Sequence, residues 1–312
     1  MENLRVAIGA VMPFIVYIAM GAFARRFGLA KEDLLKQLNG MVFRVFFPFI
    51  MFDNLYDVDF GTLKGGIYVP FAIAATLCLI LLAILIVPRL EKENARRGVM
   101  IQAAFRSNTV LYAIPLVQSV YGDAGAVKAS ILVAFVVPLY NVVSVAVLEF
   151  YRGGKIAPLK LLLNILKNPL IMGAIAGVLF NLLPVTMPKS LAGPSAQLSA
   201  MATPLSLFVL GGTLHLSNMK KNRVPLAVGT FVKLLAVPAV VVLIMSRLSF
   251  DPMELFVVFC TFATPVAAAS FPMAQSMGGD ADLAGEYVVV TTLTSIVTIF
   301  GWILLLKNLY LM

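Results

Sequence analysis

The sequence predicts an all-α polytopic membrane protein: ten transmembrane helices in a 5+5 inverted repeat, with crossed, broken helices 4 and 9. Three observations predict it. Of 312 residues, 61% are hydrophobic and 12% charged, against about 45–50% and about 25% in soluble domains. Apolar stretches recur from end to end, at lengths near the roughly 20 residues that cross a bilayer. The second half also repeats landmarks of the first at a nearly constant spacing of 155–157 residues.

The ten expected spans are 5–24, 35–55, 66–88, 96–121, 125–149, 161–183, 195–216, 223–246, 253–277 and 283–307. Residues 1–25 read as the first span rather than a cleaved leader, because the apolar run is long and no small-residue cleavage site follows. Residues 158–167, PLKLLLNILK, flank an apolar run with Lys160 and Lys167, which suits a segment lying along the interface before span 6 turns inward. The chain divides into a first repeat at 1–150, a cytoplasmic join at 151–158 and a second repeat at 159–312.

The repeat is clearest between 106–122 and 263–279. Pro115, Gln118, Ser119 and Gly122 fall on Pro272, Gln275, Ser276 and Gly279 at a shift of 157. Pro13, Ile15 and Gly21 fall on Pro169, Ile171 and Gly177 at 156, Pro48 and Phe52 on Pro204 and Phe208 at 156, and Pro70 on Pro225 at 155. Five spans per half is an odd number, so the second half enters the membrane in the opposite sense, an arrangement of many secondary transporters.

The net charge of +9 does not point to nucleic acid, because the charges sit in short loops. Loops 1–2, 3–4, 5–6, 7–8 and 9–10 carry 15 of the 24 Lys and Arg residues, and the other side carries 6. That bias places the first set in the cytoplasm and both termini outside, in the cell (inner) membrane. Arg44, Arg106 and Lys233 fall within spans, whereas Asp53, Glu149 and Glu286 sit toward span ends. Charges at depth are costly and usually functional, and cations without acidic partners favour an anionic substrate.

Spans 4 and 9 are the candidate site. Arg106, Ser107 and Asn108 lie about 15–18 Å into span 4 at 1.5 Å per residue, and Thr264–Pro265 reach similar depth in span 9. Unwound backbone at that depth must be buried or line a wet cavity. Ser107, Asn108, Thr109, Thr264 and Ser270 are short polar residues suited to capping half-helix ends, and half-helix N-termini suit an anion. Pro115, Pro265 and Pro272 are the expected helix breakers. Arg106 reads either as a substrate contact or as a tie for the broken helix. Lys233 reads either as a source of positive potential or as a strut for the half-helix C-termini, and Asn141 as a binding residue or an interhelical bond. Arg44 reads as snorkelling to the interface, and His215 as interfacial.

Other features carry less. Cys78 and Cys260 read as apolar filler, Asp53, Asp57 and Asp59 as loop solvation, and Gly173 with Gly177 as close packing inside the monomer. No metal or cofactor is expected. A single histidine, no paired Asp-rich motif and no Ser–His arrangement argue against an enzyme.

At these residues the chain resembles the auxin efflux carrier family, which includes bacterial malonate-type carriers and plant auxin exporters. The resemblance rests on Arg106, Asn108 and Pro115 with Tyr121–Gly122; on Thr264–Pro265, Gln275, Gly279–Asp280, Thr291–Thr292 and Ser295; on Pro138 with Asn141; and on Phe47–Pro48, Phe52 and Leu210–Gly211–Gly212. Ala113 stands where the family has Gly, and Met277 stands near a usual aromatic. The resemblance implies a scaffold of helices 1, 2, 6 and 7, through which related proteins form a homodimer. It implies a transport domain of helices 3–5 and 8–10 that binds substrate where helices 4 and 9 cross. The short join suits the compact bacterial form. The reading is a secondary transporter of small organic anions, mono- or dicarboxylates, by elevator-like alternating access. Asn108, Thr109, Ser107, Arg106, Asn141, Thr264, Ser270, Gln275 and Lys233 are the candidate binding residues. The rival is a sodium- or proton-coupled symporter or antiporter of the bile-acid symporter-like crossover fold. The expected partners are the small anion and the lipid bilayer, with no nucleic acid.

Overall fold

The computed structural model describes residues 2–56, 66–152, 158–183, 187–214, 216–248 and 250–311. His215, Asp57, Asp59 and most of the join lie outside the described residues. Every described element is helical: α1 (Glu2–Arg26), α2 (Glu32–Met41), α3 (Phe47–Tyr56), α4 (Tyr68–Leu90), α5 (Asn94–Phe105), α6 (Ile114–Tyr151), α7 (Pro158–Leu166), α8 (Pro169–Leu182), α9 (Lys189–Thr213), α10 (Leu216–Lys221), α11 (Arg223–Phe231), α12 (Val237–Arg247), α13 (Pro252–Ala263), α14 (Ser270–Met277) and α15 (Ala281–Asn308). Three five-residue π turns, Val42–Phe46, Thr109–Ala113 and Val232–Ala236, join α2 to α3, lead into α6, and join α11 to α12.

Among the described residues, five continuous runs are long and apolar enough to cross a membrane: Glu32–Tyr56, Tyr68–Leu90, Thr109–Tyr151, Arg223–Arg247 and Ala281–Asn308. The pair α7–α8 passes the same test only if its two helices, bent by 66°, are counted together. Large apolar side chains stay exposed on outer faces, as Leu77, Leu81, Leu82, Leu85 and Ile86 do along α4. In water such a surface would drive aggregation, whereas in hydrocarbon it is matched to its solvent. The chain is a multi-pass membrane protein.

Each π turn ends two residues before a proline: Pro48, Pro115 and Pro238. The cause is local. A proline has no N–H and its ring crowds the carbonyl four residues back. Widening the preceding turn relieves that clash without ending the helix.

The closest helix pairs are joined by glycines. A Cβ at Gly173 of α8 would lie 2.3 Å from the carbonyl oxygen of Pro48, and one at Gly211 of α9 would lie 1.9 Å from that of Ile18. No side chain fits at either contact, so α8 packs directly on α3 and α9 on α1. The GxxxG spacing at 173–177 therefore serves packing inside the protomer, as the sequence suggests.

Spans 4 and 9 differ from simple helices. Helix α5 stops at Phe105 and helical structure resumes at Thr109; α13 stops at Ala263 and α14 begins at Ser270. Helix α6 then runs to Tyr151 through what the sequence divides into two spans. Only Gly122, at φ 64° and ψ −154°, leaves the helical region there. In the second half the glycine with positive φ among the described residues is Gly278, at 79°, the neighbour of the Gly279 that the sequence repeat pairs with Gly122. Span 6 is also shorter than expected: residues 158–166 form the separate helix α7, and α8 starts at Pro169, capped by Asn168, whose Oδ1 accepts from Leu170 N at 3.0 Å.

Polar ties hold the ends of these helices. Arg96 Nε donates to Glu91 Oε2 at 2.8 Å, and Arg96 Nη1 to Asp280 Oδ2 and Asn222 Oδ1 at 3.0 Å each. Asp280 in turn caps α15 through Leu283 N at 3.0 Å. Burial pushes the Glu91 carboxyl up, but the Arg96 guanidinium and the backbone N–H groups of Glu93 and Lys92 outweigh it and hold the pKa below its ordinary value. At the other end Lys128 Nζ donates to Glu254 Oε1 at 3.0 Å.

Candidate functional site

The two breaks lie against each other. Asn108 N–H donates to Pro265 O at 2.9 Å and Ala267 N–H donates to Arg106 O at 3.3 Å, making an isolated antiparallel bridge between Ser107 and Val266. Val266 N–H donates to Thr291 Oγ1 at 3.1 Å, and that hydroxyl donates to Tyr287 O at 2.6 Å. Each unwound segment thus supplies backbone partners for the other, which answers the cost of bare amides inside a membrane. Pro265 accounts for one break directly. It lacks an N–H and pushes the residue before it to extended geometry, and Thr264 has ψ 154°. The break at 106–108 has no proline of its own. Pro115 sits one turn into the next helix, and Pro272 lies in the first turn of α14.

Two buried cations converge here. Arg106 is 4% exposed and Lys233 1%. Arg106 Nη2 donates to Asn141 Oδ1 at 2.7 Å and Nη1 to Met273 Sδ at 2.8 Å. Asn141 Nδ2 donates to Met51 Sδ at 2.7 Å. The Lys233 ammonium, carried by the third π turn, donates to Ser107 Oγ. Among the described residues neither cation has a salt-bridge partner. Arg44, the third cation within a span, is exposed and lies in a different part of the molecule.

A cavity of about 700 Å³ opens on the break. Its polar end is Arg106, Ser107, Asn108, Thr109 and Asn141, beside the backbone of Ala267, Ala268 and Ala269 that leads into α14. Its walls are largely apolar: Phe14, Phe47, Ile50, Met51, Leu111, Val137 and Leu207. Asn108 Nδ2 and Thr109 Oγ1 are buried and have no hydrogen-bond partner in the protein. No carboxylate among the described residues lines the cavity. The arrangement offers a guanidinium, an amide and hydroxyls to one polar group, and apolar surface to the rest of a ligand. Among the described residues no cluster of three metal-ligating side chains occurs.

Of the nine candidate binding residues, Arg106, Ser107, Asn108, Thr109 and Asn141 line the cavity. Thr264, Ser270, Gln275 and Lys233 do not. Thr264 and Ser270 are buried around the second break with unpartnered hydroxyls, Gln275 is half-buried on α14, and Lys233 reaches the site only through Ser107. Sequence reasoning missed Tyr17, Asn54, Tyr140, Ser199 and Thr203, which also line it. Asn54, Tyr140 and Thr203 were within reach, since they neighbour the singled-out Asp53, Asn141 and Pro204. Tyr17 and Ser199 carry no local signal.

Comparisons with known proteins show the family. A family model described as "Membrane transport protein" matches residues 6–303. A protein of Rhizobium meliloti (strain 1021) named "Putative malonate transporter" is 24% identical over 308 residues, covering 96% of each chain. An "Uncharacterized transporter" of Methanothermobacter thermautotrophicus is 22% identical over 299 residues, covering 94% of this chain and 96% of the relative. The family and these relatives are transporters rather than enzymes. With the match running nearly the full length of a helical, multi-pass chain, the protein belongs to the membrane transport protein family, the auxin efflux carriers.

Proposed function

We propose that this transporter is a secondary carrier of small organic anions, mono- or dicarboxylates, bound at the paired helix breaks. One observation carries the reading: Arg106, buried and without an acidic partner, lines a cavity of about 700 Å³ at the point where two helices unwind. A buried cation without a counter-charge is costly, and a carboxylate arriving from solution offsets that cost. Asn108 and Thr109 carry free donors for the same group, and the N-terminal end of α14 adds partial positive charge. Lys233 acts from behind, through Ser107.

The inverted repeat is part of the proposal. Each half has a 12-residue helix, a break, a second helical stretch and a glycine with positive φ, as two halves of opposite sense would. On this reading the ten spans group into a scaffold of spans 1, 2, 6 and 7 and a transport domain of spans 3–5 and 8–10. The cavity is bounded by the early part of α1, the later part of α3 and the middle of α9 on one side, and by the breaks on the other. That position suits an elevator movement in which the breaks carry the anion past a fixed wall. With both termini outside, the cavity faces outward. A homodimer through the scaffold fits the same scheme.

A ligand-stabilisation screen tests the substrate class. Purified protein is melted against a panel of carboxylates and their uncharged amides, with and without sodium and across pH, with malonate first because of the relative's name. A selective rise in melting temperature with one acid, absent with its amide, is expected. Equal response to acids and amides would remove the anion reading.

A further inference from the structure

A second cavity, of about 270 Å³, lies away from Arg106, where the ends of α6, α8 and α14 meet the first π turn. Its walls carry Arg44, Arg152 and Lys167 against one carboxylate, Glu149. That carboxylate is already engaged. Asn164 Nδ2 donates to its Oε1 at 2.6 Å, and Arg152 Nη1 stands 3.5 Å from its Oε2. Arg44 and Lys167 are exposed and make no salt bridge among the described residues. The pocket therefore keeps an excess of positive charge.

Helix α7 adjoins it. Leu159, Leu162, Leu163 and Leu166 are each at least 45% exposed, and their spacing puts them on one helical face. A 66° bend turns α7 away from α8. A short helix with a bare leucine face, set at an angle to a membrane span, lies in the interfacial plane with its leucines among acyl chains. Asn164 of α7 and the Lys167 that follows it are among the residues that line the pocket.

We propose that this pocket holds the phosphate group of an anionic phospholipid whose acyl chains lie on the leucine face of α7. Lys167 directly follows the leucine face, and Arg44 and Arg152 line the same pocket from other elements, so a single amphiphile satisfies both the cations and the leucines. A soluble phosphate would answer the charge and leave the leucines bare. The forked guanidinium of Arg44 suits phosphate oxygens, and basic pockets between membrane helices bind such headgroups. The walls come from α6, α7, α8, α14 and the π turn, so a seated lipid ties these elements together.

The test is lipid binding, which stands or falls independently of transport. The protein is placed in phosphatidylcholine nanodiscs, and labelled phosphatidylglycerol is titrated in. Saturable binding is expected, weakened about fivefold for each cation removed, so roughly 25-fold in the Arg44→Gln/Lys167→Gln double variant. Its melting profile in pure phosphatidylcholine checks its fold. Leu162→Asn/Leu166→Asn should weaken lipid binding with the cations intact. Binding that is non-saturable, or unchanged in the cation variant, overturns the proposal. Competition by millimolar glycerol 3-phosphate as effective as that by the lipid also overturns it, in favour of a soluble phosphate ligand.

Discussion

Lys233 is a buried cation carried by the third π turn. It is 1% exposed, has no acidic partner among the described residues, and reaches only the Ser107 hydroxyl. Replacing an uncompensated buried charge with an apolar chain of similar length removes a desolvation penalty. Lys233→Met is therefore expected to raise the melting temperature by about 2–4 °C and to weaken carboxylate binding roughly tenfold. Paired melting and binding measurements read the trade directly, and a variant that is less stable with unchanged affinity would make Lys233 a strut alone. Glu91 behaves in the opposite way. Its folded-state pKa lies below the ordinary value because of Arg96 and two backbone N–H groups, despite burial. Its contribution is present above the unfolded carboxylate pKa of about 4.3 and is lost as pH falls through the lower folded value. Glu91→Gln should flatten the acid limb of a melting-temperature profile below about pH 4.5 and lower stability at neutral pH. An unchanged acid limb would remove Glu91 from that role.

Elements explain what was legible in the sequence and what was not. The break at 264–265 was readable because Pro265 dictates it. The break at 106–108 was readable only from misplaced polar residues and from the repeat, since no proline lies within it. That the two breaks meet was expected from the repeat, but the bridge between them was not readable: a bridge of a few residues has no alternating pattern, and Ser107 and Val266 are far apart in sequence. Pro115 was read as a breaker, and the geometry there is a π turn followed by continuing helix. The cavity walls from α1, α3 and α9 were missed for a related reason, because an apolar residue facing a cavity looks the same as one facing lipid. Glycine contacts were half legible. The spacing at 173–177 announced a tight seam, whereas nothing in the sequence points to Ile18 as the partner of Gly211. Gly211→Ala would place a methyl 1.9 Å from the Ile18 carbonyl oxygen, and overpacking of this kind costs about 1–3 kcal/mol. A clear drop in melting temperature is expected. Gly9→Ala, where nothing lies within 4 Å of the added carbon, serves as the neutral control, and equal effects would contradict the packing account.

The whole molecule combines a helical multi-pass chain, two unwound segments that bond to each other, and a buried guanidinium facing a largely apolar cavity. The proposed carrier follows from how these combine. In the proposed elevator movement the mutually paired breaks would shift as one piece, against a wall formed by the glycine-packed contacts of α1 with α9 and α3 with α8. A substrate contact confined to the moving side would be carried rather than released. Pro265→Ala restores an N–H that the break does not use and relaxes the restriction on Thr264, so it should reduce transport more than it reduces stability. The most direct test of the central claim is uptake of labelled carboxylates, malonate among them, into proteoliposomes by the natural protein and by Arg106→Gln. The account predicts saturable uptake of at least one acid, inhibited by that acid but not by its amide, and reduced on the order of 100-fold by the loss of the guanidinium. A carried acid moved equally well by Arg106→Gln, or a fully folded protein that moves no carboxylate, would contradict it.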